Sequence, residues 1–289
     1  MLNYLKLYLL AMVASTVLSA EFIYYDELQV GSGKAPASSA NDIWLVANKL
    51  NLNQLSFDDG KESIRVGSVK PIVYIDNYAL RGFLHNTFSS RSMMPVTPYG
   101  LGVAGVIMQK NHYLSGSFID ANANSKDPGY DTFLKDKEYF SHMEYGWIMP
   151  LDDDIRQSLH ATVWHLDERE RIGKPESWGI GVAGSWEIGE KWMPFLKASY
   201  TEDNPLVLNS MVSVGTGYKV FDRDQLGAGV SWGKPSNAPR DQYTSEIFYN
   251  FKVARNITIK PDVQYVINPH NNIENDELFS TSLNASIIF

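Results

Sequence analysis

Apolar and polar residues alternate one by one along much of this chain. The alternation is clearest in the last segment, where mostly apolar positions are separated by polar ones. The apolar set is Phe279, Thr281, Leu283, Ala285, Ile287 and Phe289. The polar set is Ser280, Ser282, Asn284 and Ser286. A period of two is typical of a β-strand with one apolar and one polar face.

The same alternation recurs upstream, in segments of about 8 to 12 residues, the length of a tilted strand that crosses a bilayer. These segments are residues 99–109, 111–119, 138–149, 157–166, 178–188, 193–200, 212–220, 226–232 and 244–253. Because a soluble β-sandwich also alternates, the period alone leaves a sandwich open as an alternative to a membrane barrel.

The lengths of the connections favour the barrel, since short and long connections follow one another in turn. The short ones fall near residues 110–111, 151–154, 189–191, 222–224 and 254–256. The long ones are residues 120–137, 167–177, 201–210, 234–242 and 268–278. This order predicts an all-β, antiparallel, up-and-down transmembrane β-barrel with short periplasmic turns and longer extracellular loops.

The first third of the chain has a weaker pattern. Strands are predicted near residues 22–30, 42–55 and 61–69, followed by an irregular stretch over residues 70–98. The total is about 14 to 16 strands, and bacterial barrels normally have an even number. A loop that folds inward from the irregular stretch would narrow the pore.

The N-terminus predicts a signal peptide over residues 1–20, which leaves residues 21–289 as the barrel domain. Lys6 precedes an apolar run of about a dozen residues, and Ser19 and Ala20 offer a cleavage site. The run is shorter than the roughly 20 residues of a helical span. A retained anchor helix is the alternative.

Composition and charge exclude several classes of protein. The 16 Tyr, 13 Phe, 7 Trp and 21 Gly suit aromatic, turn-rich β structure. A net charge of −8 without a basic patch argues against a nucleic-acid partner. Because the chain has no cysteine, disulfides, thiolate metal sites and cysteine nucleophiles are excluded.

The sequence contains no catalytic or metal-binding motif, so neither an enzyme nor a cofactor is predicted. His160 and His165 are five apart and would face opposite sides of a strand. Residues 31–34 (GSGK) lack the first glycine and the following Ser or Thr of a phosphate loop. An enzyme on a barrel stays an alternative, because such barrels can place Ser and His on adjacent strands.

Six segments resemble the OprB-type carbohydrate-selective porins. The closing segments are SEIFYNF at residues 245–251 and IKPDVQYVINP at residues 259–269. SIRVGSVKP, GSFIDANA, ATVWHLDE and DQLGAGVSWGKPS occur upstream in the same order, at residues 63–71, 116–123, 161–168 and 224–236. The resemblance extends over residues 30–289. The family usually has more sequence at the front, enough for about two further strands.

The resemblance implies a sixteen-stranded channel in the outer membrane of a Gram-negative bacterium, which admits glucose and related sugars by passive diffusion. The implied partners are sugars in transit and membrane lipid, and both a homotrimer and a monomer remain open. A general or anion-preferring diffusion porin is the closest alternative.

Sugar channels need aromatic faces and polar groups along the lumen. Most of the candidates occupy alternate strand positions that face the lumen, and one, Arg81, comes from the irregular stretch. They are Arg65, Arg81, Glu144, His160, Trp164, Glu246, Asp262 and Gln264. For each one a structural role in the polar face of the wall is the alternative.

Overall fold

The structure is a computed structural model that describes residues 27–30, 42–48, 53–58, 62–71, 82–88, 94–95, 99–124, 127, 129–151, 154–202, 208–220, 224–236, 238–254, 257–272 and 274–287. The strands in this part of the chain are β1 (Glu27–Val30), β2 (Asp42–Asn48), β3 (Asn53–Asp58), β4 (Glu62–Val69), β5 (Gly100–Gln109), β6 (His112–Asp120), β7 (Tyr139–Leu151), β8 (Asp154–Leu166), β9 (Ser177–Ser185), β10 (Trp192–Glu202), β11 (Leu208–Lys219), β12 (Gln225–Pro235), β13 (Gln242–Ala254), β14 (Ile257–Ile267) and β15 (Glu277–Ile287).

All of these strands form one antiparallel sheet, in which each strand pairs with the next one in sequence from β1 to β15. The predicted up-and-down order is therefore confirmed. Fifteen strands lie in the described residues, within the predicted range of 14 to 16, although the number is odd. In the same residues no pairing joins β15 back to β1.

The connections alternate between short and long from β3 to β9 and again from β13 to β15, as the sequence predicts. The predicted alternation is wrong between β9 and β13, because the connections there, residues 186–191, 203–207, 220–224 and 236–241, are of nearly equal length. Only residues 110–111 separate β5 from β6, and Lys110 turns the chain with a φ of 55°. The loop over residues 121–138 contains one short helix, α1 (Thr132–Lys135). The single strand predicted over residues 42–55 is wrong, because β2 and β3 form an antiparallel pair there, with Trp44 opposite Ser56.

The faces of the strands are the reverse of those in a soluble protein. Apolar side chains on one face are exposed, such as Ile64 at 46% and Leu196 at 50%. Polar side chains on the other face are buried, such as Lys197 and Ser213, both at 0%. Because lipid, rather than a protein core, must cover the apolar face, this distribution fits a membrane barrel and contradicts a β-sandwich. Among the described helices none combines the length and the hydrophobicity that a membrane crossing needs.

Glycines on the lumen face give room to aromatic rings from neighbouring strands. A Cβ atom at Gly146 would lie 2.3 Å from the ring of Tyr113. At Gly179 it would lie 2.6 Å from the indole of Trp164. The rings therefore lie against the bare backbone of the adjacent strand, which fills the space that a missing side chain leaves in a sheet.

Candidate functional site

Residues 82–88, here called the inward segment, belong to the connection between β4 and β5 and end in a 3-10 turn at Asn86–Phe88. Their partners lie on β10, β11, β13 and β14, which are at least five strands away from β5 in the sheet. The partner side chains come from the buried polar face of those strands. The segment therefore lies in the lumen against the wall formed by β10–β14, here called the segment-binding wall.

Glu246 on β13 binds the backbone of the inward segment with both carboxylate oxygens. The N–H of Leu84 donates to Oε1 over 2.6 Å, and the N–H of His85 donates to Oε2 over 2.9 Å. Both oxygens of this carboxyl thus accept backbone N–H groups of the segment. Asp262 on β14 lies on the same face at 2% exposure, and Gln264 Nε2 donates to its Oδ1 over 2.8 Å.

Three donors from the segment-binding wall bind carbonyl oxygens of the inward segment. Lys260 Nζ donates to the carbonyl of Gly82 over 2.8 Å. Ser213 Oγ donates to that of Thr87 over 2.9 Å, and Lys197 Nζ donates to that of Phe88 over 3.1 Å. Since these bonds and those of Glu246 go to backbone atoms, the wall fixes the path of the segment rather than its side chains.

Aromatic packing completes the attachment. Phe83 of the segment lies 4.6 Å from Phe88, 5.3 Å from Phe195 on β10 and 4.9 Å from Phe248 on β13, between ring centroids. Gly229 on β12 lies under the segment, and a Cβ atom there would be 2.8 Å from a ring carbon of Phe88. The segment thus packs into a hydrophobic site, here called the seat, which is formed by Phe195, Phe248 and Gly229 next to its hydrogen bonds.

His85 is neutral at pH 7 in this position. Burial lowers its pKa from 6.5 to about 4, the charge of His270 lowers it further, and Asp262 opposes them. Its Nδ1 accepts the N–H of Thr87 over 3.3 Å. His270 follows β14, and its Nδ1 lies 2.7 Å from Oε1 of Gln242. Burial lowers the pKa of His270 as well.

The wall formed by β6–β8, here called the ladder wall, contains a second set of buried polar groups. Glu144 is 0% exposed and accepts the hydroxyl of Tyr113 over 2.7 Å and that of Thr162 over 2.5 Å. Ser117 Oγ and His142 Nδ1 are 2.5 Å apart. These bonds link β6, β7 and β8 to one another.

Ser117 and His142 are a serine and a histidine on adjacent strands, the arrangement expected of an enzyme built on a barrel. Their side chains are only 8% and 6% exposed. A nucleophile must reach its substrate, and burial of both groups within the sheet face leaves little room for one. In the residues that the structure describes, no three His, Asp or Glu side chains are placed to bind a metal ion.

The structure places the predicted candidates in two groups on the lumen face. Glu246, Asp262 and Gln264 come together under the inward segment, whereas Glu144, His160 and Trp164 lie on the ladder wall. Trp164 is 3% exposed and packs beside Phe140, so its ring faces protein rather than the pore.

Arg65 lies between the outward residues Ile64 and Val66, and its side chain is exposed on the lumen side of β4. Arg81 lies outside the described residues. The sequence analysis missed Lys197 and Lys260, which hold the two ends of the segment. Both lysines occupy polar positions of alternating strands that face the lumen, and this pattern could have identified them.

Known proteins resemble the chain in part of its sequence and in its fold. The model of the carbohydrate-selective porin, OprB family, matches residues 207–289, which confirms the predicted resemblance over this segment. The high-pH structure of Pseudomonas putida OprB has a TM-score of 0.57 at 14% identity, over 84% of this chain and 73% of that chain. No curated protein matches.

Two further structures of outer-membrane and porin proteins have similar folds. OmpT of Vibrio cholerae with loop L8 deleted has a TM-score of 0.55 at 14% identity, over 90% of this chain and 95% of that chain. A triple mutant of Rhodopseudomonas blastica porin has a TM-score of 0.55 at 14% identity, over 86% and 83%. The chain therefore has the fold of an outer-membrane porin.

Proposed function

We propose that the chain is a passive channel of the Gram-negative outer membrane that admits small sugars, such as glucose, in preference to other solutes of similar size. One observation carries the proposal: the carbohydrate-selective porin family matches residues 207–289, which include most of the segment-binding wall. Residues 1–20 act as a signal peptide, and residues 21–289 form the channel, without a cofactor or a nucleic-acid partner. A homotrimer and a monomer are both compatible with this function.

Selection would occur where the inward segment narrows the lumen. A sugar that enters sheds part of its water and needs hydrogen-bonding groups in exchange. Arg65, His160 and Gln264 are the candidates with side chains that are exposed or partly exposed on the lumen face. Glu246 is buried, so it acts on the solute through the segment that it holds. Asp262 is buried beside it.

A liposome-swelling assay with the refolded mature chain tests the function. Glucose and a disaccharide are compared with amino acids and salts of similar size. Faster entry of glucose supports a sugar-selective channel, whereas equal entry of all small solutes would replace it with a general porin. If no solute enters, the chain is not an open channel.

An anion-preferring porin is the second candidate, because Arg65 presents a permanent positive charge that is exposed on the lumen face. Measurement of the reversal potential in a salt gradient separates the two. A strong preference for chloride over potassium that Arg65→Gln abolishes would favour the anion channel. Weak ion selectivity together with preferred glucose entry would favour the sugar channel.

A further inference from the structure

Part of the loop between β6 and β7 folds over the outer side of the barrel wall. Asp120, the last residue of β6, lies on the outward face of the strand, two residues after the outward Phe118, yet it is only 1% exposed. The hydroxyl of Thr132 donates to its Oδ2 over 2.8 Å. A Cβ atom at Gly129 would lie 2.4 Å from its carboxyl carbon. The loop therefore covers an outward position at the rim of the barrel.

Aromatic rings attach the same part of the loop to the lipid-facing surface. The ring of Phe133 lies 6.3 Å from that of Phe118 on β6 and 5.1 Å from that of Tyr139 on β7, between centroids. The rings of Phe118 and Tyr139 are 4.4 Å apart, and the hydroxyl of Tyr139 donates to the carbonyl of Phe133 over 2.7 Å. Because Phe118 is still 40% exposed, this cluster is continuous with the apolar face that lipid covers.

The next residue, Leu134, presents a large apolar side chain that the protein leaves uncovered. At 75% it has the highest exposure of the large apolar side chains that the structure describes. Contact with water is unfavourable for such a side chain, whereas the boundary between lipid headgroups and acyl chains accommodates it. Asp131, Lys135 and Lys137 are exposed around it, so the turn fits the headgroup level and not the hydrocarbon core.

We propose that residues 130–135, here called the docking turn, form a lipid-binding surface that lies on the outer leaflet of the membrane, with Leu134 inserted between lipid headgroups. The contacts of Thr132 and Phe133 place the turn on the outer side of the wall, next to rings that face lipid. Long loops of such barrels lie on the extracellular side, which makes the outer leaflet the partner. This interaction goes beyond sugar transport and does not depend on it.

A nitroxide label on Leu134→Cys tests the docking turn, since the chain has no cysteine of its own. The refolded mature chain is studied in phosphatidylcholine vesicles, where oxygen concentrates in lipid and a nickel complex stays in water. The label should collide with nickel several-fold less often than a label on Glu168→Cys, in the exposed loop after β8. Its accessibility should approach that of a label on Leu114→Cys, on the lipid-facing side of β6.

Phe133→Ala in the labelled chain tests the attachment of the turn. Loss of the ring contacts with Phe118 and Tyr139 should release the turn and increase the nickel accessibility of the label several-fold. Phe251→Ala is the matched control, because Phe251 is 46% exposed on the outward face of β13 and should leave the label unchanged. Heat-modifiable migration on a gel confirms that the barrel stays folded in each variant.

Three results would overturn the proposal. A label on Leu134→Cys that is as accessible to nickel as the label on Glu168→Cys would place the turn in water. A protected label with spin–spin broadening that disappears on dilution with unlabelled protein would make a second copy of the chain the partner. Protection that persists in Phe133→Ala would show that the aromatic contacts do not hold the turn on the membrane.

Discussion

The ladder wall and the segment-binding wall each contain a buried glutamate on the lumen face, and the two glutamates bind different partners. Glu144 is 0% exposed and binds hydroxyl groups of Tyr113 and Thr162 in the wall itself. Glu246 is 3% exposed and binds backbone N–H groups of a segment that lies 162 residues away in sequence. The buried carboxyl of one wall thus joins strands to one another, and that of the other wall holds the inward segment in the lumen.

This difference shows that a lumen-facing position by itself does not reveal the role of a polar residue. Both glutamates sit on strands that pair with their neighbours through regular backbone hydrogen bonds. Their partners decide the role, because a buried polar group stabilises the structure that supplies its hydrogen bonds. Substitutions on the ladder wall should therefore alter barrel stability, and those on the segment-binding wall should alter conduction.

Glu246→Ala should have the largest effect. It removes the acceptors of two backbone hydrogen bonds, each worth about 0.5 to 1.5 kcal/mol, and should detach the segment at neutral pH. Single-channel conductance in planar bilayers should increase. The temperature at which the barrel unfolds, measured by its heat-modifiable migration on a gel, should change little. Glu168→Ala, in an exposed loop, serves as the control. Unchanged conductance in Glu246→Ala would contradict the conclusion that Glu246 holds the segment in the lumen.

Glu144→Ala should produce the opposite pair of results. It leaves the hydroxyls of Tyr113 and Thr162 without their acceptor inside the wall, at a cost of about 2 to 3 kcal/mol. The barrel should unfold at a lower temperature on a gel, with unchanged conductance below that temperature. Glu144→Gln keeps one acceptor oxygen and should restore much of the stability. A clear increase in conductance would contradict the assigned role.

Gly229→Val should have an intermediate effect on conduction. Its new side chain would overlap the rings of Phe83 and Phe88 in the seat, and overpacking of this kind costs about 1 to 3 kcal/mol. The segment should then leave its seat for part of the time, which appears as frequent steps between two conductance levels. Ala228→Val, on the exposed face of the same strand, should conduct steadily.

Ser213→Ala should have the smallest effect of the series. It removes one neutral hydrogen bond to the segment, at the carbonyl of Thr87, worth about 1 kcal/mol, and a contact with Ser231 Oγ inside the wall. A slight rise in conductance noise is expected, well below that of Gly229→Val. Ser280→Ala on β15 is the control. A larger effect than that of Glu246→Ala would mean that the carboxylate is not the main attachment.

The alternating positions of the sequence were sufficient to predict the sheet order, the face of most polar residues and the alternation of connections outside the part between β9 and β13. The burial of Glu246 and the exposure of Ile247 follow from a period of two alone. The pair formed by β2 and β3 was missed because the alternation of apolar and polar residues there is weak. The number of strands was predicted only within a range for the same reason.

The attachment of the inward segment could not be predicted from the sequence. The irregular stretch indicated that a loop folds inward, but it has no period that would fix which of its residues meets which strand. The contacts join residues more than 100 positions apart, such as Lys197 with Phe88. The hydrogen bonds among them use backbone atoms of the segment, which leave no mark on its side-chain sequence. The contacts of Arg65, His160 and Gln264 with sugars stay predictions.

The most direct test of the account is the size cut-off for sugars in liposomes, measured side by side for the wild type and Glu246→Ala at pH 7.5. The account predicts that the wild type admits monosaccharides faster than disaccharides and trisaccharides. Glu246→Ala should admit all three at more similar rates, while its barrel remains folded. An identical cut-off in the two proteins would show that the inward segment held by Glu246 does not set the width of the pore.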